Sequence, residues 1–309
     1  MTRRDYCVAI RTLGRAGEKY QRELSSLCRQ TLQPRKILVY IAEGYPLPAE
    51  TCGREEYVYV PKGMVRQRAL QYGEIDTEWI LLLDDDMELQ PDSVERLFDA
   101  LEQHRGDLIG ADVFPNSQRP WKTELMMTLT GRMRARRDDG SGWANRVMPT
   151  GGFSYLRNPK QTVYRSETNS GNCLLIRKED FLNIHFEDEL WLDDMPYAMG
   201  DDQVMTYKLH LAGLRQLTHF DSGIRHLDAG SALDSPDRDS RRLYCDARYK
   251  RIFVSRFLLA PESSLWRRLK IRVAFLYGAA ANLAVSLLKL DITNLRAKLR
   301  GYRAGRPGA

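Results

Sequence analysis

Apolar positions along the chain fall into short runs punctuated by turn residues, alternating with stretches at helical spacing. Tyr6 to Ile10 is the first run, Leu13-Gly14-Arg15-Ala16-Gly17 reads as a turn, and Tyr20, Leu24, Leu27 and Cys28 recur at helical spacing before Pro34. Ile37 to Ile41 is a second run, closed by Glu43-Gly44-Tyr45-Pro46, and Val58 to Val60 is a third, ahead of Pro61. Met64 to Tyr72 reads as a helix. Trp79-Ile80-Leu81-Leu82-Leu83 shows no polar alternation, as expected of a strand covered on both faces in the middle of a parallel sheet. Pro91 then opens a helix whose Val94, Leu97, Phe98 and Leu101 share one face. This order predicts an α/β fold with a doubly wound, mostly parallel sheet flanked by helices, whose ligands sit at the carboxyl ends of the strands.

Further on, Pro115 to Thr168 is rich in Gly, Pro, Arg and Asn and reads as an insertion around one helix, Lys122 to Arg136. Asn172 to Arg177 is strand-like, and a helix follows from Asp202 to Ala212 with Gly213 as its C-cap. From Arg241 the pattern is helical, divided at Pro261.

Composition changes this picture in two ways. With 43% hydrophobic and 28% charged residues among 309, the chain has ample material for a core and is neither disordered nor fibrous. Five cysteines with no C-x-x-C pair indicate reduced thiols and neither a disulfide framework nor a cysteine zinc site. Charge is uneven: after residue 240 there are 16 Lys and Arg against 3 Asp and Glu, a net +13, which leaves −7 for residues 1–240. An acidic body repels nucleic acid, whereas a basic, amphipathic tail suits an anionic membrane surface. The uncharged run Val273 to Leu288 is short of the roughly 20 residues a spanning helix needs. The apolar run at the N-terminus is too short for a secretory h-region, so the expected compartment is the cytoplasm.

The most informative run is Leu81-Leu82-Leu83-Asp84-Asp85-Asp86. Side chains alternate in a strand, so Asp84 and Asp86 can face the same side while Asp85 points away, and the outer pair would hold a hard cation such as Mg²⁺ or Mn²⁺. A solvated acidic turn is the plain alternative. A Walker-B strand is a rival, but the chain has no G-x-x-x-x-G-K-[ST] phosphate loop to go with it. Gly200-Asp201-Asp202 stands at a helix start, where a carboxylate acts either as a cap or as a general base. His226, in Ile224-Arg225-His226-Leu227, is an isolated histidine that is structural or a ligand.

In this order, the motifs resemble the family 2 glycosyltransferases of the GT-A fold. The resemblance rests on Cys7 to Ile41 with Thr12, Arg15, Ser26-Leu27, Gln30-Thr31 and Pro34, on Asp84-x-Asp86 as a D-x-D, and on Gly200-Asp201-Asp202 with Lys208, Gly213 and His226. It departs from the family at Glu43-Gly44-Tyr45, at Gln67-Arg68-Ala69, and at Asp201 in place of Glu.

The resemblance implies a metal-dependent, inverting enzyme using a nucleotide-diphosphate sugar, with Mn²⁺ or Mg²⁺ at Asp84, Asp86 and His226 and Asp202 as catalytic base. Thr12, Glu43, Arg68, Asp84 and Asp85 would line the nucleotide-sugar pocket, with Asp201 and Trp191 on the acceptor side. The expected organisation is a GT-A-like catalytic domain over 1–240, its donor half about 1–112 and its acceptor half about 113–240, followed by basic amphipathic helices over 241–309. The acceptor would be a glycan or lipid-linked, in surface polysaccharide synthesis at the inner face of the membrane. The alternative is a non-catalytic scaffold of the same fold that binds a nucleotide sugar or glycan.

Overall fold

A computed structural model describes residues 4–113, 120–197, 199–227 and 236–306, without the side chains of 236–239. In chain order, β1 (Tyr6–Thr12), α1 (Glu18–Cys28), β2 (Ile37–Ala42), β3 (Glu55–Val60), β4 (Trp79–Asp84), β5 (Met87–Leu89), α2 (Ser93–His104) and β6 (Leu108–Ala111) come first. They are followed by α3 (Trp121–Leu129), β7 (Met133–Arg137), β8 (Arg146–Val147), β9 (Phe153–Arg157), β10 (Val163–Ser166), β11 (Cys173–Arg177) and α4 (Lys178–Leu182). A 3-10 segment, Phe186–Leu192, precedes α5 (Asp201–Leu211), β12 (Gln216–His219) and β13 (Ile224–His226). The chain then runs through α6 (Pro236–Phe253), the π-helical segment Val254–Leu259, α7 (Leu265–Leu288) and α8 (Ile292–Ala304).

Eight strands form the main sheet in the order β10-β12-β6-β11-β4-β1-β2-β3. The half built from β4, β1, β2 and β3 is parallel, while β11 runs antiparallel to both β4 and β6, and β10 antiparallel to β12. The fold is therefore the expected α/β arrangement, a mostly parallel sheet flanked by helices with a C-terminal helical extension. Burial explains the strand positions: every residue from Trp79 to Leu83 is buried, as is every residue of β2. Helix α2 lays Val94, Leu97, Phe98 and Leu101 onto the sheet, and Phe98 packs its ring 5.5 Å from Trp79 and 6.0 Å from Tyr6. Each such side chain contributes about 1.5–3 kcal/mol by leaving water.

Two compact units divide the chain, and their segments interleave. One is made from 1–117, 159–193 and 201–231, the other from 118–158, 194–200 and 232–309. The expected boundary at residue 240 therefore does not capture the insertion, most of which groups with the C-terminal helices.

In the second unit, β7, β9 and β8 form a small sheet and α6 packs against α8, with Gly301 so close to the Tyr244 carbonyl that a Cβ would collide with it. Helix α7 is inside out. Its buried positions are Gly278, Asn282 and Ser286, whereas Leu265, Trp266, Leu269, Val273, Leu276 and Leu288 face solvent. The inner face is polar by design: Asn282 Nδ2 donates to the Tyr302 hydroxyl (3.2 Å) and Lys298 Nζ donates to the Asn282 carbonyl (2.8 Å). Beside it, Asp246 is flanked by Arg132 (3.5 Å) and Lys250 (3.8 Å), and burial pulls the Lys250 amine down to about 8.

Three expectations fail. Met64 to Tyr72 is a succession of turns: the Asp193 carboxylate caps the Val65 and Arg66 amides (2.9 and 3.0 Å), but Leu70 N then turns back to the Arg68 carbonyl (2.8 Å) and Tyr72 takes φ +50°, which ends any helix. The helix predicted over Lys122 to Arg136 ends at Leu129, where Gly131 takes φ +62° and turns the chain into β7; the first residues of the insertion, 115–119, lie outside the described residues. Finally, α7 starts eight residues before Val273, and its full 24 residues are long and apolar enough to cross a bilayer, by length and composition alone.

Candidate functional site

The parallel pairing of β1 with β4 sets Arg11 directly opposite Asp84, at the carboxyl ends of both strands. Arg11 Nε lies 2.5 Å from Asp84 Oδ1, and its Nη2 3.3 Å from Oδ2, a bidentate pair. The remaining nitrogen, Nη1, donates to Asp201 Oδ2 (2.8 Å), and Asp202 Oδ1 is 3.9 Å from Nη2. Arg68 completes the group, its Nη2 donating to Asp84 Oδ1 (2.7 Å). It reaches inward because the turns carrying it are tied down, Gln67 Nε2 donating to the Thr12 carbonyl (2.9 Å).

The strand ends at Asp84, and Asp85 and Asp86 form the turn into β5. The alternation that would put Asp84 and Asp86 on one face of a strand therefore does not apply. Each of the three carboxylates finds a different partner. Asp84 gives both oxygens to arginines, Asp85 accepts a hydrogen bond from the Thr12 hydroxyl, and Asp86 Oδ2 lies 3.1 Å from His226 Nε2. The last contact follows from register: β13 pairs antiparallel with β5, His226 opposite Met87, which brings the imidazole beside Asp86.

Electrostatics separates these acids. Burial opposes the charge of Asp84, but Arg11 and then Arg68 outweigh it and hold the carboxyl down to about 2. Burial pushes Asp85 up to about 6 against the hydrogen bond from Thr12. For Asp202, burial and then the neighbouring charge of Asp201 push the carboxyl up to about 7. Neither Asp201 nor Asp202 precedes the helix as a cap; both lie in its first turn. The Asp202 side chain is 35% exposed and its Oδ1 makes no hydrogen bond.

Of the residues picked from sequence, Thr12, Arg68, Asp84, Asp85, Asp86, Asp201, Asp202 and His226 thus cluster at the strand ends. Glu43 does not join them: its backbone closes β2 onto Val60 (2.8 Å), and its side chain is exposed. Trp191 sits on the 3-10 segment, its Nε1 donating to Glu189 (2.7 Å), which also receives Lys208 Nζ (2.9 Å).

Three residues escaped the sequence reading. Arg11 joins the two acidic motifs, and its signal was available, a cation ending one apolar run as Asp84 ends another. Gly171 faces Asp202 so closely that any Cβ would strike Oδ1. Glu23, fully buried on α1, accepts weakly from the Met87 amide (3.4 Å), and burial followed by the charge of Asp85 raises its carboxyl well above the ordinary value. Neither Gly171 nor Glu23 carries a sequence signal.

The donors present fit a divalent cation at one place. Asp86 keeps a buried Oδ1 with no hydrogen-bond partner beside the His226 imidazole, an oxygen and nitrogen pair suited to Mn²⁺ or Mg²⁺ when substrate oxygens and water fill the remaining positions. Among the described residues, no three His, Cys, Asp or Glu side chains gather closely enough to enclose an ion by themselves.

Residues 56–171 match the family model described as glycosyl transferase family 2. This match agrees with the resemblance to family 2 glycosyltransferases over that region. The matched region includes Arg68, the Asp84-Asp85-Asp86 turn and Gly171, while Arg11, Asp202 and His226 lie outside it. No curated protein matches the sequence. Among solved structures, the chain is similar to GalNAc-T7 crystallised with UDP, GalNAc and Mn²⁺, at 15% identity and a TM-score of 0.49 over 90% of this chain. It spans about half of that protein, 55% of its length. S. aureus TarS 1-349 in complex with UDP-GlcNAc is similar at 13% identity and a TM-score of 0.44, covering 99% of this chain and 93% of that one. Both likenesses are distant.

Proposed function

We propose that the protein is an inverting glycosyltransferase that moves a sugar from a nucleotide-diphosphate donor to a hydroxyl of a glycan or lipid-linked acceptor. The carrying observation is the Arg11 network, which holds Asp201 and Asp84 as charged anchors and leaves beside them Asp202, a carboxylate with an unbonded oxygen and a raised proton affinity. A base poised near neutrality beside fixed charges is what deprotonation of an acceptor hydroxyl requires. Asp202 accepts that proton as the acceptor oxygen bonds to the anomeric carbon and the bond to the diphosphate oxygen breaks on the opposite face, so configuration inverts. Arg11 and Arg68 meet the growing charge of the leaving diphosphate. Asp86 and His226 would hold a divalent cation, which would supply Lewis-acid stabilisation of the same charge. A non-catalytic scaffold would have no use for a base of this kind.

The basic tail and the outward apolar face of α7 support a lipid-linked acceptor handled at the inner face of a membrane, as in surface polysaccharide synthesis. The test is a donor-hydrolysis and transfer screen across nucleotide sugars with Mn²⁺ or Mg²⁺, wild type against Asp202→Asn. Turnover confined to the wild type supports the proposal; absence of turnover with any donor, or equal rates in both proteins, overturns it.

A further inference from the structure

Helix α3, inside the stretch that read only as an insertion, has no buried residue at all. Trp121 is 69% exposed, and Leu125 and Leu129 continue the same stripe at four-residue spacing. Its one acid, Glu124, is turned sideways to Tyr155 and Arg157, which neutralise it. The helix belongs to the same unit as α7, and α7 meets its end directly: at Gly278 only 3.3 Å separates a would-be Cβ from the carbonyl of Thr130, the α3 C-cap. Both helices open alike, Trp121-Lys122 in one and Trp266-Arg267-Arg268 in the other, an exposed aromatic followed by cations. That is the arrangement of an interfacial anchor, in which the ring sits at headgroup level and the cations meet lipid phosphates.

We infer that α3 and α7 insert together into the apolar margin of an anionic bilayer, making the second unit a two-helix membrane anchor. The inference rests on the membrane reading above and deepens it from charge attraction by the tail to insertion that includes a helix more than a hundred residues earlier in the sequence. A second copy of the chain is a poor occupant of this face, since each copy brings a tail of net +13. An anionic bilayer supplies the opposite charge. Water is poorer still for the second half of α7, which carries no charge after Arg272 and turns Asn282 and Ser286 inward.

The test uses the full chain with vesicles of phosphatidylglycerol and phosphatidylcholine, the latter brominated on its acyl chains to quench inserted tryptophans. Trp121→Phe and Trp266→Phe should each remove part of the quenching, and quenching should persist when salt is raised after binding. Leu125→Glu with Leu129→Glu should weaken partitioning by about tenfold or more, both positions being exposed and tolerant in the free protein. If Trp121→Phe removes no quenching while Trp266→Phe removes all of it, α3 stays in water and this inference fails while the membrane reading stands. If the protein ignores the vesicles, both fail. If it forms dimers without lipid that the Leu125 and Leu129 replacements dissociate, and does not bind vesicles, the face belongs to a second copy and the inference is overturned.

Discussion

The two units solve opposite problems with the same chemistry. In the first, apolar residues are buried between sheet and helices, and the charges gather at the ends of strands, where Arg11 holds Asp84 and Asp201. In the second, α7 puts Asn282 and Ser286 inside and Leu288, 84% exposed, outside. The first unit places its charge where a small anionic substrate would enter from water. The second places apolar surface where water would be a poor neighbour. The difference teaches that burial alone does not locate function: in one unit the informative residues are buried charges, in the other they are exposed leucines.

The sharpest way to break this contrast is at the base. Asp202→Asn should lower kcat by roughly 10²–10⁴-fold with donor affinity nearly unchanged, measured by initial rates and by calorimetry of donor binding. Normal turnover would remove Asp202 from its role. Arg11→Ala leaves Asp84 and Asp201 short of a cation in a largely buried setting, so urea unfolding should show a loss of about 3 kcal/mol, and Arg11→Lys should not restore it, having no fork to span two carboxylates.

Gly171→Ala should reduce rate by about 10²-fold with little loss of stability, because the new methyl displaces the Asp202 carboxylate; rates equal to wild type would mean that the close approach has no catalytic consequence. The raised proton affinity of Asp202 sets the sign of a pH effect. Its carboxyl is protonated, and useless as a base, below about 7, so kcat/KM should rise as pH climbs through that value, and the step should be absent from whatever residual activity Asp202→Asn retains.

The smallest effect is expected on the opposite side of the comparison. Leu276→Ser and Val273→Ser face solvent in the free protein, and thermal unfolding in buffer should change by no more than about 0.5 kcal/mol. A loss of several kcal/mol would mean that α7 is not inside out. Such surface changes are cleaner than deleting everything after Pro261, which would also strip α8 from α6 at Gly301.

Much of the first unit was legible because its signals are local. Uninterrupted apolar runs gave β2 and β4, three- and four-residue spacing gave α1 and α2, and the acids after an apolar run marked the carboxyl end of β4 as the place of the chemistry, though not that the strand stops at Asp84. What was not legible depends on partners far away in sequence. The turns around Arg68 are fastened by Asp193, which takes the Arg66 and Val65 amides from 127 and 128 residues away. Asp86 reaches His226 only through the ladder between β5 and β13. The grouping of the insertion with the C-terminal helices likewise rests on long-range packing, which periodicity within a window does not report.

The interleaving of the units has a consequence for synthesis. Every segment of the first unit is translated by residue 231, before α6, α7 and α8, so the candidate site can close ahead of the last helices. During that interval α3 waits without the neighbour that meets its C-cap, and its tryptophan and leucines are open to whatever apolar surface is nearby. The insertion is thus the segment most exposed to aggregation before the chain is finished. A nearby membrane would act as a holding surface for it, with docking of α7 as the last event of maturation.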